Sequence, residues 1–223
     1  MERHFDEELT ELKRQLLRMC ALAETMIGEA SRALVHRESA ALQAINRQEA
    51  EVNRLQVEID EMCFTLIALR QPTASDLRFI LGAAKTTTDL ERLADQAVNI
   101  SNKAERLMQH EPLKPFAIIQ QMTELARGMV RDSLHAYVNR QADKAREVIQ
   151  RDDQLNALKK TINREMVEFM QRNPDTVPYA LDIVLAAHNL ERIGDHAKNI
   201  AENAIFVVEG KDIRHGSEWR KPG

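Results

Sequence analysis

From Phe5 to Ala33 apolar residues recur every three or four positions, as Phe5, Leu9, Leu12, Leu16, Met19, Ala23, Met26, Ala30 and Ala33. That spacing follows one face of an α-helix. No proline interrupts it, so it predicts one helix over 5–36. After a short break at 36–39 the pattern resumes through Leu42, Ile45, Val52, Leu55, Ile59, Met62 and Leu66, and predicts a second helix ending near Arg70. At about 1.5 Å per residue each rod is roughly 45–50 Å long. Such rods need helical partners along their whole length.

The few helix breakers cluster. The 223 residues hold seven glycines, six prolines and 4% aromatic residues, a composition that argues against a sheet. Pro72 biases Gln71 out of the helix, and Thr73 with Asp76 is spaced as a capping box for a third helix over 74–109. His110-Glu111-Pro112-Leu113-Lys114-Pro115 is the best domain boundary in the chain. The plan then repeats at a period of roughly 100 residues: helices over 116–139 and 141–172, a Pro-containing break at 173–178, and a sixth helix over 178–209 that Gly210 is placed to cap. The expected units are 1–110, 111–210 and a polar tail over 211–223 that carries the single tryptophan, Trp219.

The two halves match most closely at one segment. Asp89-Leu90-Glu91-Arg92-Leu93-Ala94-Asp95-Gln96-Ala97-Val98-Asn99-Ile100 is written again as Asn189-Leu190-Glu191-Arg192-Ile193-Gly194-Asp195-His196-Ala197-Lys198-Asn199-Ile200. On a helix with Glu91 at zero, Asp95 lies near 40° and Asn99 near 80°, while Leu90, Leu93, Ala94 and Ala97 centre about 100° the other way. Oxygen-bearing side chains thus form a ridge beside the core-facing stripe. In the second copy Glu202 and His188 fall on the same ridge, whereas His196 points away from it. Two carboxylates four residues apart repel each other by a few tenths of a kcal/mol. A hard metal ion would offset that. So would a salt-bridged, solvated face, with Arg92 pairing to Asp89 or Asp95 and Arg192 to Asp195. Aligning the halves sets Glu49 and Asn53 against Asp152 and Asn156, and Glu29 against Asp132. A bundle could gather carboxylates from all three of its helices; Glu29 and Asp132 taken alone read as surface acids.

The formal net charge of −4 gives no general attraction to nucleic acid or anionic lipid. No apolar run approaches the ~20 residues that span a bilayer. The N-terminus does not read as a signal peptide, so a cytoplasmic protein is expected. Cys20 and Cys63 sit in apolar helical surroundings and read as buried free thiols. There is no GxxxxGK[ST], GxGxxG or HExxH, no nucleophile in a recognisable setting, and no Glu followed three residues later by His as in di-iron bundles.

The doubled Leu-Glu-Arg-x-x-Asp at 90–95 and 190–195 is similar to a motif of the PhoU family of bacterial phosphate-signalling proteins. Arg70-Gln71-Pro72-Thr73-Ala74-Ser75-Asp76-Leu77-Arg78 resembles that family's interhelical segment, and Gly210-Lys211-Asp212-Ile213-Arg214-His215 its C-terminal segment. The resemblance implies an all-α fold of two tandem, pseudo-symmetric three-helix bundles, and a homodimer. It implies metal ions (Fe, Zn, Mn or Mg) at Glu91–Asp95 and Glu191–Asp195, with Glu49 and Asp152 as further ligands, although Asn53 and Asn156 stand where the family's pattern has a second acid. It implies no enzyme. The implied role is negative regulation of the phosphate-starvation response and of phosphate uptake. The implied partners are a PhoR-like sensor histidine kinase and the PstB-like ATPase of a phosphate ABC transporter, with contact to the inner membrane only through them and no nucleic acid. The competing class is a carboxylate-bridged metalloenzyme, which needs an open coordination position and an enclosed pocket. A third is a metal-free structural bundle.

Overall fold

A computed structural model describes residues 2–111 and 116–213. Among them are six long helices: α1 (Glu2–His36), α2 (Ala40–Arg70), α3 (Ala74–Leu107), α4 (Phe116–Val138), α5 (Ala142–Arg172) and α6 (Val177–Glu209), with a short 3-10 turn at Pro174–Thr176. No strand occurs among the described residues. The all-α expectation holds, and the helices stop where the breakers stand. No described helix is long and apolar enough to cross a membrane.

The turns explain themselves locally. Gln71, ahead of Pro72, takes left-handed φ at 47°. Arg37 and Arg140 occupy equivalent turns of the two repeats and are both left-handed, at φ 59° and 54°. That conformation costs roughly 1–2 kcal/mol for a residue with a Cβ. Each arginine is anchored in compensation: Arg37 donates to the Met108 carbonyl at 2.5 Å, and Arg140 to Asp76 Oδ1 at 2.8 Å. The expected capping box at Thr73 does not close. Its hydroxyl donates to Asp76 Oδ2 at 3.0 Å, no side-chain bond reaches the helix backbone, and Arg140 draws on the same carboxylate. Gly210 does cap α6, at φ 68° with its N–H on the Phe206 carbonyl at 2.9 Å.

Within each repeat the three helices pack on one another, α1 with α2 and α3, and α4 with α5 and α6. The repeats are also joined broadly, α3 lying on α6 and α1 on α4. Antiparallel α3 and α6 are fixed by Arg78 to the Val207 carbonyl, Asp89 to His196, and Arg106 to Asp182. α2 and α5 pack on the outer flanks. One hydrophobic cluster therefore runs through both repeats. The predicted α1 stripe is buried except for Phe5, which is half-buried. A second row, Cys20, Ile27 and Leu34, is buried too. Residues seven apart share a helix side, and the Cys20 thiol donates to the α4 carbonyl of Val130 at 3.9 Å. This row faces the other repeat. Burial pushes the Cys20 and Cys63 thiols up to about 12, so neither is a reactive thiolate.

Ile213, in the segment read as a polar tail, packs back on the core. Trp219, with the rest of 214–223, and residues 112–115 of the central break lie outside the described residues.

Candidate functional site: two carboxylate ridges

The first ridge lies on α3, where Glu91 and Asp95 are half-buried. Burial, then the Asp95 charge, holds the Glu91 carboxyl above the usual carboxylate range; Glu49 of α2 adds to this, while Arg92 and His196 oppose it. Glu49 is therefore close enough for its charge to be felt by Glu91. Among the described residues no ion pair ties Glu49, Glu91 or Asp95 to a cation. A folded pKa above the unfolded value of 4.5 means that ionised Glu91 costs stability. The cost is absent below the unfolded value, grows as pH rises from there through the folded one, and is full above it.

The second ridge has a different chemistry. Glu191 accepts Lys159 Nζ at 3.0 Å and lies 3.2 Å from His188 Nδ1. Buried Asp152 accepts Lys198 Nζ at 3.0 Å and the Asn156 amide at 3.4 Å. Its Oδ1 is buried with no partner. The bond to Asp152 is the main reason the Lys198 ammonium is held above its usual range. Asp195 opens to solvent, yet desolvation by its surroundings, followed by the charges of Glu191 and Asp152, raises its carboxyl. Two lysines thus supply the positive charge that this cluster needs.

The arginine pairing expected from spacing is not made. Arg92 and Arg192 are exposed and form no ion pair among the described residues. Asp89 is instead buried against the other repeat, accepting His196 Nδ1–H at 3.0 Å and an Asn199 amide N–H at 3.2 Å. His196 points away from its ridge because it crosses the seam. Glu29 and Asp132 stay out of both ridges, lying 3.6 Å from Arg32 and 2.5 Å from Arg151 respectively.

Lys159 and Lys198 were missed by the sequence reading, although a signal was there. Lys159 stands seven residues after Asp152, and Lys198 seven after Glu191. Seven residues return to within about 20° of the same helix face. The first repeat has Gln56 and Val98 at the matching positions.

The donor chemistry separates the ridges. All-oxygen donors suit hard ions such as Mg or Mn. Glu49, Glu91 and Asp95 offer such donors with no competing ammonium. Asp152, Glu191 and Asp195 offer them only if Lys159 and Lys198 withdraw. Among the described residues no three His, Cys, Asp or Glu side chains converge as a preformed metal site.

A two-repeat, six-helix all-α protein with a carboxylate ridge on the last helix of each repeat is a narrowly defined class. The PhoU domain model matches residues 16–104 and again 119–204, so the chain belongs to the PhoU family. It is 37% identical over 216 residues to the phosphate-specific transport system accessory protein PhoU homolog of Pseudomonas putida, covering 96% of this chain and 84% of that one. The crystal structure of PhoU from Pseudomonas aeruginosa superposes with a TM-score of 0.89 at 35% identity, covering 93% of this chain and all of that one. That of the phosphate transport system regulatory protein PhoU from Streptococcus pneumoniae gives 0.87 at 27% identity, covering 94% and 99%.

Proposed function

We propose that this chain is a regulatory accessory protein of phosphate-specific transport. In plentiful phosphate it links the ATPase of a phosphate ABC transporter to a sensor histidine kinase, holds the starvation response off and restrains uptake. It works as a cytoplasmic homodimer that reaches the inner membrane through its partners, and as an adaptor, not an enzyme. The observation that carries this reading is a family match spanning both repeats and nearly the whole chain. Long rigid helices suit such a role, since an adaptor sets a partner's equilibrium by binding one of its states more tightly. Deleting the gene in its host should leave phosphate-starvation promoters active in rich phosphate, read with a transcriptional reporter. Normal repression in the deletion strain would reject the regulatory assignment.

The metal belongs, on this proposal, to the first ridge. Glu91 and Asp95 hold the ion, Glu49 assists, and the bound charge offsets the burial and the Asp95 repulsion that together raise the Glu91 carboxyl. Ligand binding to the folded state raises its melting temperature with concentration. Wild-type protein titrated with Mn, Mg, Zn or Fe should therefore melt higher, by roughly 5–11 °C at a hundredfold excess over Kd. Glu91→Gln with Asp95→Asn should abolish the rise. Glu191→Gln with Asp195→Asn should keep most of it, because Lys159 and Lys198 already serve that ridge. A rise lost only in the second variant would reverse the assignment.

A further inference from the structure

Two exposed apolar side chains recur at equivalent positions of the two repeats. Leu81 on α3 is 49% exposed and Leu181 on α6 is 47% exposed; they stand in the same register as Glu91 and Glu191. Phe64 on α2 is 76% exposed and Val167 on α5 is 50% exposed, in the register that relates Glu49 to Asp152. Single exposed apolar residues need no explanation. Val57 and Leu69 are of that kind, with Lys160 and Arg172 at the matching positions. A pair written twice is different.

Helix register brings each pair together. Asp60 of α2 accepts the Thr87 hydroxyl of α3, so Phe64 is level with Ala83 and about 3 Å along the axis from Leu81. Lys159 of α5 meets Glu191 of α6, which sets Val167 the same ~3 Å from Leu181. On α3, Leu81 stands about 180° from core-facing Leu90, between Thr87, which reaches α2, and Asp89, which reaches α6. Leu181 stands opposite Leu190 in the same way. Both pairs therefore open on the side of the molecule where α3 and α6 lie. There Asp89 meets His196, so Leu81 is level with Ala204 and about 35 Å along the axis from Leu181. The pseudo-two-fold of the repeats relates one pair to the other. Each offers on the order of 200 Å² of apolar surface, well short of the ~800 Å² per partner of a stable interface. A rigid body that meets both pairs at once gains the effective concentration of a second, intramolecular contact. Two like contacts related by a two-fold are met together by a partner that is itself two-fold symmetric.

We propose that one copy of this chain lies across a two-fold pair of identical partner subunits, its pseudo-two-fold axis along theirs. Phe64 and Leu81 seat in an apolar pocket of one subunit, and Val167 and Leu181 in the same pocket of the other. The proposal rests on the reading of this chain as an accessory to a phosphate ABC transporter, whose ATPase works as such a pair. The test is binding of the full chain to the solubilised transporter, holding both ATPase subunits, by biolayer interferometry with phosphate present. Sedimentation velocity of the chain alone runs beside it. Phe64→Ala with Leu81→Ala should weaken binding at least about tenfold, and so should Val167→Ala with Leu181→Ala. Both variants should keep wild-type helical content and sedimentation, since none of the four side chains belongs to the core. An isolated ATPase subunit, able to meet one pair only, should bind the wild type at least about tenfold more weakly than the transporter does. Loss in only one variant would show a one-sided contact and overturn the proposal, as would loss in neither. A variant that sheds self-association would assign the pairs to a second copy of this chain and also overturn it. Wild-type protein that does not bind the transporter at all would remove the accessory reading, and the proposal with it.

Discussion

Replacing Tyr137 by Ala is expected to cost about 3–5 kcal/mol, in the range for emptying a buried aromatic site. The melting temperature should fall by roughly 6–20 °C for a chain of this size. Tyr137 sits at the end of α4 with no solvent exposure. Its ring lies 5.0 Å from that of Phe79 on α3, centroid to centroid, and its hydroxyl donates to the Phe79 carbonyl. Burial holds the phenol far above its usual pKa, so the proton stays available to donate. α3 makes room for it at Gly82, where a Cβ would stand 2.9 Å from the Tyr137 oxygen and 3.2 Å from Val207 Cγ2 of α6. One side chain of α4 thus engages α3 of the other repeat through its ring and its hydroxyl. Tyr137→Phe keeps the ring and loses one hydrogen bond, an expected cost of about 1 kcal/mol. Phe64→Ala, at 76% exposure, should change stability by less than about 0.5 kcal/mol. Urea unfolding of the three variants checks the order. A Tyr137→Ala loss no larger than that of Phe64→Ala would show that the seam is not held here.

Tyr137 also marks where sequence reading runs out. The helices were legible because helical periodicity and clustered breakers are local signals, and both survive in the structure from α1 to α6. The seam is written in the width of the stripes. Cys20, Ile27 and Leu34 stand beside the predicted α1 stripe, and nothing local says whether a second row meets a partner or solvent. Its polar members are harder still. Asp89, His196 and Asn203 are buried, yet a charged or amide side chain beside an acidic ridge reads as surface. At the ridges the carboxylates were legible from their repetition. The lysines that neutralise the second ridge were not, because repetition draws attention to what two copies share, and Lys159 and Lys198 are where they differ. The spacing that gave Arg92 and Arg192 acidic neighbours was equally uninformative. On a helix an arginine three residues from an acid can reach it but need not, and here both extend into solvent.

That difference between copies makes a second sharp expectation. Where the first copy has Asp89 and Gln96, the second has Asn189 and His196. The charged acid of one copy and the imidazole of the other meet across the seam at 3.0 Å, with side chains 12% and 10% exposed. His196→Leu removes a donor from a buried carboxylate and leaves Asp89 with Asn199 alone. Breaking a buried pair from one side costs about 3–5 kcal/mol. The remaining Asn199 bond and partial exposure reduce this, and about 2–4 kcal/mol is expected. Asp89→Asn removes the charge but keeps an oxygen acceptor, and should cost about 1–2 kcal/mol. The double change Asp89→Asn with His196→Gln installs the neutral amide types found at the equivalent positions 189 and 96. With no carboxylate left to strand, it should be less costly than His196→Leu alone. The cycle built from Asp89→Asn, His196→Gln and their combination should give a coupling of about 0.5–3 kcal/mol, as for residues in direct contact. Urea unfolding of all four variants measures it. Strict additivity across the cycle would mean that Asp89 and His196 are neighbours without being partners, and the seam would then rest on its apolar contacts and on Tyr137.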